Sequence, residues 1–224
     1  MIDQLRISDK YSYDDFGASV SQRETEYPEK KSIRETVPFS NITYDFSAIN
    51  GEVYWQERTL KYVFELTANS PEELEDAKTE FANWIMNVFE ENIHDPFIPD
   101  YHFVGTFEKI ATEDDEGLDK TTLTVTFKAY PFKIANNPKH YDAKITAHGS
   151  ASVAVRNDSA HRVMPTIESD QPIIFVIGNS RYAIPAGKTE DATLTFERGL
   201  TSFIIENGND SECSVAISFC EEVL

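Results

Sequence analysis

The sequence predicts a mainly β protein in two parts: an N-terminal β-sandwich with one long α-helix and a β-hairpin over residues 1–135, and a second β-sandwich over 136–224. Three observations predict it. One segment alone carries helical periodicity, short runs of alternating polarity fill most of the rest, and the texture changes near Pro131. With 224 residues, 40% hydrophobic and 12% aromatic, the chain can bury cores of that size.

The helix lies in SPEELEDAKTEFANWIMNVFEENIHDP, at about residues 70–92. Ser70 is placed to cap it, Pro71 takes the first helical position and Glu73 completes a capping box. Leu74, Ala77, Phe81, Ile85, Val88 and Phe89 recur at three- and four-residue intervals, forming one apolar stripe. Glu72, Glu75, Asp76 and Glu80 fill the other face and suit the positive end of the dipole. Pro96 cannot continue the helix, which places its end near Asn92.

Before the helix, SNITYDFSAINGEVYWQERTL carries Asn50-Gly51, the pair favoured for a type I′ hairpin turn. A two-residue loop there sets Ala48 opposite Val53 and Phe46 opposite Trp55 on one apolar face. KYVFEL follows as the strand leading into the helix. Beyond the helix, YHFVGTFEKI and TTLTVTFKAY flank an acidic loop, and Leu123, Val125, Phe127 and Ala129 alternate with polar neighbours. After YPFKIANNPKHYD come DAKITAH, ASVAVRN, RVMPTIES, IIFVI, RYAIP, ATLTFER, TSFIIEN and CSVAISF. Gly178-Asn179 and Asn207-Gly208 mark turns, and Ala192, Leu194 and Phe196 share one face of ATLTFE. Regularly spaced short strands of this number imply a sandwich.

Twenty basic against thirty-nine acidic residues leave a net charge of −19, of which residues 1–135 carry −14 (27 acids, 13 bases) and residues 136–224 carry −5. That balance argues against specific nucleic-acid binding or capture by anionic lipid, both of which need basic patches. The start of the chain has no basic stretch followed by an apolar run, so no secretory signal is expected. The longest aliphatic or aromatic run, Ile173 to Ile177, is far short of the roughly 20 residues a membrane helix needs. A soluble protein made in a cytoplasm, without membrane insertion, is expected. Cys213 and Cys220 are seven residues apart, on opposite faces of a strand, so no disulfide is expected between them.

The search for chemistry returns little. There is no Gly-rich phosphate loop, no Gly-x-Ser-x-Gly elbow and no His-Glu-x-x-His pair. His94, Asp95, Asp100 and His102 are the nearest approach to a metal set, but Asp95-Pro96 reads more simply as a helix stop and Asp100 as a strand start. Asp114, Asp115, Glu116 and Asp119, with Gly117, fail the EF-hand pattern and read as a solvated hairpin tip. No segment singles out a carboxylate pair for glycoside hydrolysis. No catalytic, cofactor-binding or metal residues are therefore assigned, no cofactor is expected, and the chain reads as a non-enzyme. Tyr11, Tyr13, Phe16, Tyr44, Tyr54, Trp55 and Tyr62 could stack on sugar rings, but such residues more often build a sheet core. Assembly or binding is what remains.

The order of short motifs then points to a family. Tyr13-Asp14-Asp15-Phe16-Gly17 comes first, followed by Tyr44-Asp45-Phe46, Arg58-Thr59-Leu60-Lys61-Tyr62, Asn83-Trp84 inside the helix, and Ala129 to Phe132 at the end of a strand. The chain resembles the distal tail proteins of long-tailed, non-contractile phages and prophages of Gram-positive bacteria. Tyr182-Ala183-Ile184-Pro185, Glu197-Arg198-Gly199-Leu200 and the final Glu-Glu-Val-Leu resemble the galectin-like β-sandwich that follows in that family. Where family members often have a Gly-containing turn after the first extended stretch, this chain reads Val37-Pro38-Phe39-Ser40-Asn41.

The resemblance implies a structural virion protein. It would be a homo-hexameric ring at the tail tip, a baseplate hub joining the tail-tube protein to the tail-tip protein and, in many phages, to receptor-binding components. The N-terminal domain would build the ring while the C-terminal domain projects outward. A galectin-like shape does not by itself imply sugar binding. The alternative is a host-surface carbohydrate-binding module using exposed aromatics of the second domain. Phe175, Tyr182, Phe196 and Phe203 fall mostly at inward-facing positions, which disfavours it.

Overall fold

The computed structural model describes residues 3–48, 53–115 and 119–224. It is mainly β and divides into two compact units, one reaching Lys133 and the other running from Ile134 to Val223.

The first unit holds β1 (Arg6–Ile7), β2 (Lys10–Tyr11), β3 (Ser19–Thr25), β4 (Arg34–Thr36), β5 (Thr43–Asp45), β6 (Arg58–Thr67), α1 (Pro71–Met86), β7 (Glu91–His94), β8 (Tyr101–Asp114) and β9 (Lys120–Ala129). Seven of these strands follow the sheet order β2-β1-β7-β8-β9-β6-β3, while β4 and β5 pair only with each other. Period-two alternation drives the centre of the sheet: Leu60, Tyr62, Phe64 and Leu66 of β6 are buried on one face. They stand beside Phe127, Val125 and Leu123 of β9 in register. The alternation of Leu123, Val125, Phe127 and Ala129 is thus that of a buried strand face.

Helix α1 covers this face. Ser70 is its N-cap, with Oγ accepting the Glu73 N–H at 3.2 Å. The Glu73 carboxylate reaches back to the Asn69 N–H, also at 3.2 Å, one residue earlier than a standard capping box. Leu74, Phe81 and Ile85 are buried. Phe81 meets Phe64 edge-on with centroids 5.0 Å apart, and Phe16 stacks on Trp84 at 4.6 Å.

The helix stops six residues before the expected end. Asn87 turns out of it with its side chain on Asn83 O at 2.6 Å, and Glu90 has φ +53°. Glu91–His94 is then a strand paired on both sides, with β1 and with β8, which buries Ile93. Long-range pairing of four residues outweighs another turn of helix. Val88 is buried beyond the helix end, and Phe89 is exposed rather than part of the stripe.

The expected Asn50-Gly51 turn lies outside the described residues. Its flanks do not pair as expected. Trp55 bridges Lys30, and Phe46 donates its N–H to Ile33 O at 2.8 Å, so Phe46 and Trp55 have separate partners.

The second unit is a sandwich of two four-stranded sheets. After the short β10 (Lys133–Ala135), its strands are β11 (Lys139–Ile145), β12 (Ser150–Asn157), β13 (Thr166–Ser169), β14 (Ile173–Ile177), β15 (Ser180–Ile184), β16 (Gly187–Glu190), β17 (Gly199–Glu206) and β18 (Cys213–Phe219). The sheet orders are β11-β18-β13-β16 and β12-β17-β14-β15. Phe175, Phe203 and Phe196, in that order, form a stacked row between them, with successive centroids 4.9 and 5.4 Å apart. Cys213 is buried and Cys220 exposed, both as free thiols.

One expected strand is absent. ATLTFE turns instead, because Asp191 Oδ1 accepts both the N–H and the hydroxyl of Thr193 and its carbonyl accepts the Leu194 N–H. Leu194 and Phe196 still enter the core, but Ala192 is exposed. The preceding Gly187–Glu190 supplies the edge strand against β13.

The Phe81 ring has no exposed surface. Phe81→Ala should lower unfolding stability by about 3–5 kcal/mol in chemical denaturation, the usual large-to-small penalty. A loss below about 1 kcal/mol would mean that the stripe is not buried.

Candidate assembly interface

Between β3 and β6, β4 and β5 form a two-stranded ribbon apart from the main sheet. Arg34, Glu35 and Thr36 face Asp45, Tyr44 and Thr43 in antiparallel register. The pattern continues at both ends, with Phe46 N–H on Ile33 O (2.8 Å) and Val37 N–H on Ile42 O (3.2 Å). Side chains of a strand alternate between faces. One face of the ribbon therefore carries Ile33, Val37, Ile42, Tyr44 and Phe46, with Glu35 among them. The other carries Arg34, Thr36, Thr43 and Asp45.

The polar face satisfies itself. Arg34 Nε meets Asp45 Oδ2 at 3.2 Å, and the Thr36 and Thr43 hydroxyls lie 3.5 Å apart. Hydrogen bonds from Ser47 and the Arg34 charge hold the Asp45 carboxyl below its ordinary pKa. Among the described residues the apolar face is left largely uncovered: all five apolar side chains are exposed, and the Tyr44 and Phe46 rings stack with centroids 6.2 Å apart.

At the tip the turn places Phe39 at φ +63° with its side chain fully exposed. A left-handed backbone at a bulky residue costs about 1–2 kcal/mol, which glycine would avoid. Here the strained position presents a ring to solvent. Val53 and Tyr54, in the irregular segment that leads to β6, add further exposed apolar surface.

The residues weighed for chemistry are dispersed or engaged elsewhere. The His94 and His102 rings are adjacent, with centroids 5.2 Å apart. Asp95 is not with them: its Oδ2 accepts from Arg23 Nη1 at 2.7 Å and from the Tyr62 hydroxyl at 3.1 Å, and its Oδ1 accepts the Phe97 N–H at 2.9 Å. Asp95-Pro96 ends a strand rather than the helix. Asp100 is exposed, and Asp114 is bound by Lys78 at 2.9 Å. No group of three metal-ligating side chains occurs among the described residues.

The aromatics divide. Tyr62 is core, and Phe16 packs against the core, whereas Tyr11, Tyr13, Tyr44 and Tyr54 are exposed. The core reading thus holds for part of the set only. Ribbon alternation was present in the sequence as Ile33-x-Glu35-x-Val37 and Ile42-x-Tyr44-x-Phe46, and the turn between them is the Val37–Asn41 departure. In the second unit Phe175, Phe196 and Phe203 are buried and Tyr182 packs against that core. The large apolar side chains exposed there, among the described residues, are Met164, Leu200 and Ile204, none of them a ring.

No family model matches the chain, and no curated protein does. Among solved structures it matches the crystal structure of the Dit protein of phage SPP1, a protein described as a paradigm of the hub adsorption apparatus in phages that infect Gram-positive bacteria. The match covers 100% of both chains with a TM-score of 0.72 at 12% identity. The chain has the fold of that Dit protein. Weaker likenesses are to the baseplate of phage P2 in its activated, calcium-containing conformation and to a designed double-stranded β-helix. The first has a TM-score of 0.45 at 11% identity over 97% of this chain, the second 0.28 at 17% over 38%.

His94 gives the Dit-like first unit a distinctive acid response. Burial, the facing Arg6 and the neighbouring His102 lower its pKa from 6.5 to about 4. Between those values the unfolded chain takes up a proton that the folded chain refuses, so stability falls as pH drops from about 6.5 to 4. The loss should reach at most about 3 kcal/mol. His94→Asn should remove that part of the slope in urea unfolding measured across this range. An unchanged slope would place the transition elsewhere.

Proposed function

We propose that this chain is a structural protein of a phage virion: a distal tail or baseplate hub that closes into a homo-hexameric ring through residues 1–135. The ring would join the tail tube to tail-tip and receptor-binding components, with the sandwich of residues 136–224 outside it. The observation that carries the reading is the uncovered apolar face of the β4–β5 ribbon, on a chain with the fold of a Dit protein. A two-stranded ribbon is at best marginally stable alone in water, so a partner surface is needed to hold it.

Electrostatics sets the conditions for assembly. Six copies of a domain with net charge −14 repel one another. Salt shortens the Debye length from about 8 Å at physiological strength to about 3 Å at 1 M, whereas apolar contact is screened far less. The same negative charge would line the passage with a field that repels DNA phosphates. The carbohydrate-binding reading has less support, because Phe175, Tyr182, Phe196 and Phe203, expected to face inward, are in or against the core of the second unit.

Analytical ultracentrifugation across a salt series should find monomer at low salt and a shift toward hexamer as salt or protein concentration rises. Phe39→Gly and the double variant Ile42→Ser/Tyr44→Ser alter exposed side chains and should leave the monomer's thermal midpoint unchanged or, for Phe39→Gly, slightly raised. Both should weaken assembly by about tenfold or more if the ring is a central anchor of the interface. A chain that remains monomeric throughout, or that binds duplex DNA tightly, contradicts the hub reading.

A further inference from the structure

The first unit contains a cluster of cations that its acidic composition conceals. Arg23 from β3, Arg58 from the start of β6 and Lys133, just beyond β9, line one cavity of about 140 Å³, beside Thr25 and Tyr27. Phe103 also lines it, with the Arg58 guanidinium over the ring at 5.2 Å from its centroid.

Arg58 is 3% exposed, and its Nε and Nη2 are buried without a hydrogen-bond partner among the described residues. An arginine does not escape such a site by losing its proton. Burying an ion without a partner costs several kcal/mol, and native structures rarely leave donors in that state. The nearby carboxylate does not answer it. Asp95 is committed to Arg23, Tyr62 and the Phe97 N–H. Among the described residues, three cations thus stand beside one acid, which is already paired with Arg23. Burial, with Arg58 and Arg23 alongside, lowers the pKa of Lys133, in keeping with a crowded positive site.

We infer that this cavity is an oxyanion site, in which Arg58 Nε and Nη2 donate to a single carboxylate or phosphate group, with Arg23 and Lys133 supplying further positive charge. The guanidinium fork matches both groups in geometry, and Nε and Nη2 have no other acceptor among the described residues. The cavity has room for one such group but not for a nucleotide or a sugar chain. The ligand is either a free anion or an acidic side chain of another polypeptide. The inference concerns the isolated chain and stands apart from ring formation.

Phosphorus NMR of inorganic phosphate titrated with the full chain at constant ionic strength tests it. The phosphate line should broaden with wild type, and binding should weaken about tenfold or more in Arg58→Met, as expected for loss of charge-assisted hydrogen bonds. Lys133→Gln should weaken it less. In chloride alone Arg58→Met should unfold no earlier than wild type, because methionine fills the space without an unpaired charge. A blocked Ala-Glu-Ala peptide that displaces phosphate would identify an acidic side chain as the source, whereas phosphate binding without displacement would identify a free anion. No broadening in wild type, or equal broadening in both variants, overturns the inference.

Discussion

A two-stranded antiparallel ribbon has no third strand and no layer behind it, so whatever apolar side chains it carries stay in water unless another surface covers them. In this chain the ribbon formed by Arg34–Thr36 and Thr43–Asp45 sorts its side chains cleanly. The polar face is closed by the Arg34–Asp45 pair, and the opposite face exposes Ile33, Val37, Ile42, Tyr44 and Phe46. Scattered apolar residues on a surface need no explanation, but a contiguous one-sided set does. The strained Phe39 at its tip extends the same surface where glycine would have cost less. The functional account rests on the need to cover this face.

The rest of the first unit is arranged so that such a ribbon can leave it without disturbing the core. Strand β6 is buried between β3 and β9, and the helix stripe closes the face made by Leu60, Tyr62, Phe64 and Leu66. The one buried acid among the described residues there, Asp95, is fixed by Arg23 and Tyr62, which ties β3 and β6 to the end of β7. Desolvation and the adjacent Asp95 charge hold the Tyr62 phenol well above its ordinary pKa, so it remains a donor to that carboxylate. Arg58, on the same strand, has no comparable acceptor for its Nε and Nη2 among the described residues. Two buried polar groups a few residues apart thus differ in one respect: one is complete within the chain, and the other is complete only with a ligand.

The helix start was legible because capping is local: Ser70, Pro71 and Glu73 lie within four residues of one another. Its end was not, because Glu91–His94 is decided by β1 and β8, which no local pattern reveals. The alternation of ATLTFE was equally misleading, since a side-chain turn at Asp191 outweighed propensity while the inward placement of Leu194 and Phe196 survived. The apolar face of the ribbon was readable in principle from alternate residues around Val37–Asn41. Attention to Asn50-Gly51 as the hairpin turn assigned Phe46 to the wrong partner. The cationic cavity was beyond sequence reading altogether. Its arginines and lysine come from three distant segments of a chain whose overall charge is −19.

The central claim, that a second copy covers the ribbon's apolar face, is tested most directly by amide hydrogen exchange on the free and the assembled chain. Residues 33–46 should exchange rapidly in the monomer, where only one pair of strands protects them, and slow markedly on assembly, while the β6 and β9 amides change little. An assembled particle in which residues 33–46 exchange as fast as in the monomer would contradict the account.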